Sequence, residues 1–185
     1  MRSTTAIYDL LVSEYDERMF HRIPAAPSVT RHEFIRSECI GKRVLDIGGS
    51  GPLAELIKGV AKSYANVDKT DATYCINLDC EPVPVIDVDL VVCGEVVEHL
   101  SNPGFFLDGL RAYTVPIIFS VPNAFTKVGT GWIKKGVENV NSDHVSYYSY
   151  YTFSNLIKRH GFSVDKFLWY NGSPGTAEGL IFCVR

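Results

Sequence analysis

The sequence has few cysteines, and their spacing argues against a metal site built from thiols. Five of the 185 residues are cysteine, and no two of them form a CxxC pair. Cys93 and Cys183 lie inside apolar runs typical of strands, where reduced core cysteines are expected. No zinc site is predicted, and no other metal site is predicted from this sequence.

Long apolar runs and an excess of basic residues are also missing. No stretch approaches the roughly 18 apolar residues that suggest a membrane span, and no basic segment followed by an apolar run marks a secretion signal. The formal charge is −3, which gives no overall attraction to nucleic acid or to an anionic membrane. These absences predict a cytoplasmic protein that binds neither nucleic acid nor a membrane.

The chain does have enough apolar sequence for a full core. Hydrophobic residues make up 46% of it, and residues 1–185 are predicted to fold as one domain. Residues 1–40 are predicted to form N-terminal helices, the first over 4–20 and the second over 28–39. Residues 124–148 hold no convincing helix or strand, and a loop of that length is usually functional or mobile.

Short apolar runs alternate with helical patterns through the rest of the chain. The predicted strands are 43–48, 63–68, 75–78, 88–93, 115–121, 162–170 and 180–184. The predicted helices are 52–58, 103–112 and 152–160. This alternation indicates an α/β fold, a three-layer sandwich with a doubly wound, mostly parallel Rossmann-like sheet. The last two strands form a hairpin, which predicts one antiparallel strand. Only about six residues separate the second and third strands, fewer than a parallel crossover usually needs.

A glycine-rich turn follows the first strand and predicts a nucleoside ligand. Gly49-Ser50-Gly51-Pro52-Leu53-Ala54 fits the dinucleotide pattern G-x-G-x-x-A, although a tight turn without a ligand fits it too. Asp46 would repel a pyrophosphate but can bind an ammonium or hydroxyl group. Glycines let a ligand approach the backbone, and the helix start offers free N–H groups. S-adenosylmethionine (SAM) meets these conditions better than NAD.

Two more acids follow later strands at the same predicted edge of the sheet. Asp68 ends the second strand, where an acid can accept hydrogen bonds from both hydroxyls of a ribose. Asp79 follows the third strand and could receive the amino group of adenine. For each of them the alternative is a surface acid without a ligand.

The segment after the strand at 88–93 narrows the function further. It reads Gly94-Glu95-Val96-Val97-Glu98-His99-Leu100. Together with the turn at 44–51, it resembles the class I SAM-dependent methyltransferases, in the branch with E-V-x-E-H-L after the fourth strand. Later segments agree, namely Ser120-Val121-Pro122-Asn123 and then Asp143-His144-Val145. The resemblance extends over residues 40–170.

The resemblance implies how the cofactor is bound. In such enzymes the first turn holds the amino-acid part of SAM, and the acid after the second strand holds its ribose. Carried over, the cofactor-binding residues are Asp46, Gly48, Gly49, Gly51, Asp68, Gly94 and Glu95, with Asp79 a further candidate. The family's usual turn is D-x-G-x-G-x-G, and Ser50 and Pro52 stand at the last two glycine places.

Two histidines are candidate catalytic bases. His144 lies in a polar loop beside Asp143, which could orient its ring, and it is the stronger candidate for taking a proton from a substrate hydroxyl. His99 is the weaker candidate, because it could simply brace the turn before the next helix. The alternative for His144 is a role in fastening its loop.

Residues 124–151 combine lysines with many aromatic residues and are predicted to form a substrate lid that excludes water. The predicted function is a SAM-dependent methyltransferase with a small-molecule acceptor, sugar-containing or another secondary metabolite. One alternative is a SAM-binding accessory protein with weak or no catalysis, since Ser50 and Pro52 replace glycines. The other is an NAD-dependent oxidoreductase.

Overall fold

An eight-stranded sheet forms the centre of the computed structural model, which describes residue 21, residues 23–173 and residues 175–185. The strands are β1 (Ser28–Val29), β2 (Arg43–Ile47), β3 (Ser63–Asp68), β4 (Tyr74–Cys75), β5 (Leu90–Gly94), β6 (Ile117–Pro122), β7 (Val164–Tyr170) and β8 (Gly179–Val184). Their order across the sheet is β1-β7-β8-β6-β5-β2-β3-β4. The predicted helix over 4–20, with Tyr8 and Tyr15, lies outside the described residues.

Every strand pairing is parallel except the two that β8 makes. β8 runs antiparallel to both β6 and β7. The predicted mostly parallel sheet with one antiparallel strand from a C-terminal hairpin is therefore confirmed. Residues Leu90 to Cys93 of β5 are all buried, as expected for an apolar strand that is covered on both faces.

Helices cover both faces of the sheet and complete the three layers. They are α1 (Arg31–Cys39), α2 (Gly51–Lys58), α3 (Pro103–Leu110), α4 (Lys127–Ile133) and α5 (Tyr150–Arg159). α1 and α2 pack with Val44 on one face, whereas α3 and α5 pack with Leu45 on the other, because successive strand residues point to opposite faces. In the part of the chain that the structure describes, no helix is both long and apolar enough to cross a membrane.

The connection from β3 to β5 contains no helix. The predicted third strand at 75–78 is reduced to the two residues of β4, which pair with Val67 and Asp68 at the end of β3. β4 begins beside Val67, one residue before the end of β3. The chain therefore does not have to return along the whole length of β3, and no full crossover is needed. Arg43 then anchors the return to β5, with its Nη2 atom 2.7 Å from Asp89 Oδ1.

Two predictions about elements were wrong. The helix expected over 28–39 begins only at Arg31, and the two residues before it form β1, which pairs with β7. The segment expected to lack elements contains α4, which has no buried residue. Gly129 and Gly131 lower the helix propensity of α4 and hid it from a sequence pattern. The assignment of residues 1–185 to one domain stays a prediction.

Candidate active site

A cleft of about 370 Å³ opens at the carboxyl ends of β2, β3 and β5. β3 lies on one side of β2 in the sheet and β5 lies on the other. The strand order therefore reverses at β2, and ligands usually bind at such a point in an open α/β sheet. The lining residues are Gly48, Ser50, Asp68, Lys69, Ile76, Leu78, Glu95, Val96, His99, Leu100 and Asp143. Four predicted site residues are thereby brought together: Gly48, Asp68, Glu95 and His99.

The glycine turn requires glycine at Gly48 for two independent reasons. Gly48 has φ +71°, a left-handed conformation that costs other residues about 1–2 kcal/mol. A Cβ atom there would lie 2.3 Å from Cγ2 of Val96. The Gly48 N–H donates to the Val67 carbonyl over 2.7 Å, which fixes the turn against β3. Gly49 and Gly51 line an open depression on the other side of the turn.

Asp46 lies beneath the turn and is not among the described residues that line the cleft. It is 3% exposed, and the hydroxyl of Tyr64 donates to its Oδ2 atom over 2.9 Å. Burial raises the pKa of Asp46 to about 7. A Cβ atom on Gly49 would meet this pair at 2.5 Å. In the structure the carboxyl of Asp46 therefore supports the turn from below.

The acid after β3 and an apolar wall complete this end of the cleft. Asp68 lines the cleft, and its Oδ1 atom accepts the N–H of Lys69 over 2.6 Å. Ile76, Leu78 and Leu100 supply apolar surface suited to an adenine ring. No motif in the sequence marked these three residues as site residues. Asp79 is not among the described residues that line the cleft. Its Oδ1 atom accepts the N–H of Ser101, just before α3, over 2.7 Å.

Glu95 is fixed from two distant parts of the chain. It has φ +57°, which is rare for a residue with a side chain and typical of functional positions. Its Oε2 atom lies 2.8 Å from Nη1 of Arg31 in α1, and its Oε1 atom accepts the hydroxyl of Tyr170 in β7. No motif in the sequence marked Arg31 or Tyr170 as a site residue. Gly94 precedes Glu95 in the chain and is not among the described residues that line the cleft. A Cβ atom on Gly94 would make only ordinary van der Waals contacts.

The two candidate bases lie side by side. The rings of His99 and His144 are 4.6 Å apart and nearly perpendicular. Asp143 was expected to orient His144, but its backbone carbonyl instead lies 3.2 Å from Nδ1 of His99. Burial, followed by the neighbouring His99, lowers the pKa of His144. A lowered pKa favours the neutral imidazole of His144, which is the form that can accept a proton.

Glu98 joins these histidines and received no role from the sequence. It is 1% exposed, and neither of its carboxylate oxygens has a hydrogen-bond partner among the described residues. Burial raises its pKa to about 8. Ligand atoms of Glu98, His99 and His144 all lie within 4.8 Å of one another. Donor sets of this kind can hold a metal ion.

A second, smaller cavity lies beyond this cluster. Its volume is about 140 Å³, and it is formed partly by Glu98, His144 and residues of the predicted lid. His99 lines the larger cleft and its two neighbours line the smaller cavity. The cluster of Glu98, His99 and His144 therefore forms the wall between the two spaces.

The pattern of residues across most of the chain matches one known family. The family model described as "Methyltransferase domain" matches residues 15–166. The chain belongs to this family. It is a SAM-dependent methyltransferase, and its cofactor is SAM. No curated protein sequence matches the chain.

Solved structures of methyltransferases share the fold. The small RNA methyltransferase HEN1 is 19% identical with a TM-score of 0.66, and the match covers 90% of this chain but 26% of that one. A SAM-dependent methyltransferase from Mesorhizobium loti is 14% identical with a TM-score of 0.59, covering 84% and 95%. The 1,6-didemethyltoxoflavin-N1-methyltransferase of Burkholderia thailandensis, with bound 1,6-didemethyltoxoflavin and S-adenosylhomocysteine, is 11% identical with a TM-score of 0.61, covering 98% and 87%.

Proposed function

We propose that this methyltransferase acts on a small-molecule acceptor, sugar-containing or another secondary metabolite, that bears a hydroxyl group. The observation that carries the proposal is the small cavity beside the cofactor cleft. At about 140 Å³ it is smaller than most ligand pockets, which have roughly 300–1,000 Å³, so it suits a single group of the acceptor.

The charge around this cavity favours a neutral or cationic acceptor over a polyanion. Glu98 and Glu138 are among the described lining residues, and no lysine or arginine is among them. A nucleic acid would need cations close to its phosphates. The toxoflavin methyltransferase named above acts on a small molecule, whereas HEN1 acts on small RNA, so RNA is the acceptor to test against.

The cofactor is assigned to the larger cleft. In this proposal the backbone around Gly48 holds the amino-acid part of SAM, Asp68 holds the ribose, and Glu95 faces the sulfonium. Asp46, Gly49 and Gly51 shape the turn, while Gly94 and Asp79 support the surrounding backbone. The protein then needs mainly to align the acceptor with the methyl group and exclude water.

Residues 124–151 are proposed as the lid over the acceptor. Phe125, Trp132 and Tyr147 are exposed large side chains in this segment, and a bound acceptor would give them an apolar partner. His144 belongs to the same segment and is the proposed base for the hydroxyl, with His99 the weaker candidate. A reducing, cytoplasmic location stays a prediction, and it agrees with all five cysteines being free.

Transfer of radiolabel from [methyl-³H]SAM to a panel of acceptors tests the proposal. The panel contains hydroxylated small molecules, including glycosides, and a small single-stranded RNA. Calorimetry with S-adenosylhomocysteine is run on the same samples, and Asp68→Ala serves as the variant with impaired cofactor binding. We expect label in a hydroxylated small molecule and none in the RNA.

Other results would contradict the proposal in distinct ways. Label in the RNA alone would overturn the small-molecule acceptor. Binding of S-adenosylhomocysteine without label in any acceptor would favour the accessory-protein alternative. Equal label with Asp68→Ala would overturn the assignment of the cofactor to the cleft.

A further inference from the structure

The cluster of Glu98, His99 and His144 contains a buried carboxyl group that nothing in the described protein satisfies. An isolated carboxylate costs several kcal/mol to bury, so proteins pair it, protonate it or bind a cation to it. Glu98 is 1% exposed and its two oxygens have no hydrogen-bond partner among the described residues. Ligand atoms of two imidazoles, those of His99 and His144, lie within 4.8 Å of it.

The hydrogen bonding of the cluster prepares one nitrogen of His99 as a ligand. The Nδ1 atom of His99 lies 3.2 Å from the carbonyl oxygen of Asp143, so it carries the hydrogen and donates. The Nε2 atom then has a free lone pair. Metal-binding histidines usually donate their other N–H to a carbonyl or carboxylate in this way.

Glu95 lies near this cluster, but both of its carboxylate oxygens already have partners. Its two oxygens are held by Arg31 and Tyr170, which makes it unlike Glu98. Its negative charge acts on Glu98 and His144, and the positive charge of Arg31 acts on Glu98 in the opposite sense. Glu98, and not Glu95, is therefore the carboxylate with oxygens left for a ligand among the described residues.

We propose that Glu98, His99 and His144 bind one divalent first-row transition metal ion, and that this ion holds the hydroxyl oxygen of the acceptor. Two imidazole nitrogens and one carboxylate oxygen suit zinc, cobalt, iron or manganese better than calcium or magnesium, which prefer oxygen ligands. Ligand atoms bound to one ion at about 2.0–2.2 Å lie roughly 3–4 Å apart. Small side-chain rotations bring atoms within 4.8 Å of one another into that range.

The role of the ion rests on the proposed function, whereas its binding does not. A metal ion lowers the pKa of an oxygen bound to it. The hydroxyl proton passes to solvent water, the oxygen forms a bond to the methyl carbon, and the carbon–sulfur bond breaks with its electron pair left on sulfur. When the ion is bound, His144 is one of its ligands and the ion takes over activation of the hydroxyl; in the metal-free protein His144 is the proposed base.

Titration of the EDTA-treated protein with Co²⁺ tests the binding. We expect one ion per chain by calorimetry and visible absorption bands typical of nitrogen-bound Co²⁺. Glu98→Gln and His144→Gln should each weaken binding by at least about tenfold. His160→Gln is the matched control, because His160 pairs with Asp108 over 2.8 Å outside the cluster, and it should bind Co²⁺ as the parent does.

The same variants show whether a loss reflects the site or the fold. Gln has the shape of the protonated Glu98 side chain, so Glu98→Gln should keep its melting temperature and its affinity for S-adenosylhomocysteine. Failure to bind Co²⁺ stoichiometrically, or unchanged binding by both variants, would overturn the metal site. That result would leave a protonated Glu98 or a bound water as the explanation of the cluster.

The methyl-transfer assay separates the ion's role from the proposed function. Once an acceptor is found, equal rates in EDTA and in Co²⁺ would overturn the claim that the ion holds the acceptor oxygen. Stoichiometric Co²⁺ binding with no acceptor methylated would instead contradict the proposed function and leave the metal site intact.

Discussion

Arg31 Nη1 lies 2.8 Å from Glu95 Oε2, so the helix that precedes the sheet core holds an acid that lines the cofactor cleft. The hydroxyl of Tyr170 bonds the other oxygen of the same carboxylate. A carboxylate held by an ion pair on one oxygen and a hydrogen bond on the other keeps one orientation. It can therefore act as a fixed negative charge at the side of the cleft proposed for the sulfonium.

Removing the charge of Glu95 should weaken the binding of SAM more than the binding of its product, S-adenosylhomocysteine. SAM carries a positive sulfonium and S-adenosylhomocysteine a neutral thioether, so only SAM loses an attraction in Glu95→Gln. We expect about tenfold weaker SAM binding, corresponding to about 1.4 kcal/mol, and little change for S-adenosylhomocysteine, both by calorimetry. Glu178→Gln is the control of equal charge, because Glu178 lines a neighbouring cavity together with Arg31. Equal losses for both ligands would contradict the placement of Glu95.

The turn at Gly48 should not tolerate a side chain. Gly48→Ala combines left-handed strain with a clash against Val96 and should lower the free energy of unfolding by roughly 2–5 kcal/mol. Gly41→Ala is the matched control, since Gly41 has φ +69° but open space around its Cβ position, and it should cost only about 1–2 kcal/mol. Urea denaturation measures both. Similar losses in the two variants would show that the contact with Val96 is relieved.

Asp68 is predicted to hold the ribose of the cofactor. Asp68→Ala removes both acceptor oxygens from the cleft and should weaken binding of S-adenosylhomocysteine by at least about tenfold. Asp165→Ala makes the same change in β7, where Asp165 pairs with Arg185, and should leave binding unchanged. Calorimetry measures the affinity of both variants for S-adenosylhomocysteine. An unchanged affinity in Asp68→Ala would contradict the assignment of this residue to the ribose.

The hydrogen-bonded pair of Asp46 and Tyr64 beneath the glycine turn predicts that the stability of the protein depends on pH. Burial raises the pKa of Asp46 from 3.8 to about 7, so the folded protein holds a proton that the unfolded chain releases. The contribution of Asp46 to the free energy of unfolding therefore falls as pH rises from about 4 to about 7. Above that window Asp46 is ionised and depends most on the hydroxyl of Tyr64.

Tyr64→Phe should accordingly be more harmful at high pH. We expect a loss of roughly 1.5–3 kcal/mol near pH 8, where the acceptor is charged, and a smaller loss near pH 5. Tyr113→Phe is the control, because the Tyr113 hydroxyl donates to the neutral carbonyl of Pro84 and its loss should not depend on pH. Urea denaturation at the two pH values is the measurement. Equal losses for Tyr64→Phe would contradict an Asp46 that titrates near neutrality.

Much of the framework was predictable because local rules decide it. β2 is a largely buried strand that ends at the glycine turn, β3 ends at Asp68, and parallel strands bring their carboxyl ends to one edge. That is why Gly48, Asp68, Glu95 and His99 meet in one cleft. The sequence resemblance to SAM-dependent methyltransferases was confirmed by the family match over residues 15–166.

The rest depends on contacts between distant segments. Arg31 and Tyr170 reach Glu95 from the two ends of the chain, and no periodicity marks them as partners. Asp46 precedes the glycines as a ligand-binding acid would, yet Tyr64 draws its carboxyl beneath the turn. Glu98 is visible in the motif, but only the fold shows that its oxygens are buried without a partner among the described residues.

The two ends of the sheet are formed by its shortest strands, β1 and β4, with two residues each. A sheet of eight strands would normally expose a long row of unpaired backbone N–H and carbonyl groups at each side. Here each terminal strand offers a neighbouring molecule only a two-residue template for strand addition. Very short terminal strands are one of the devices that limit strand addition at a sheet edge, and here they act next to Trp169 and Tyr170 of β7 and next to Val67 and Asp68 of β3.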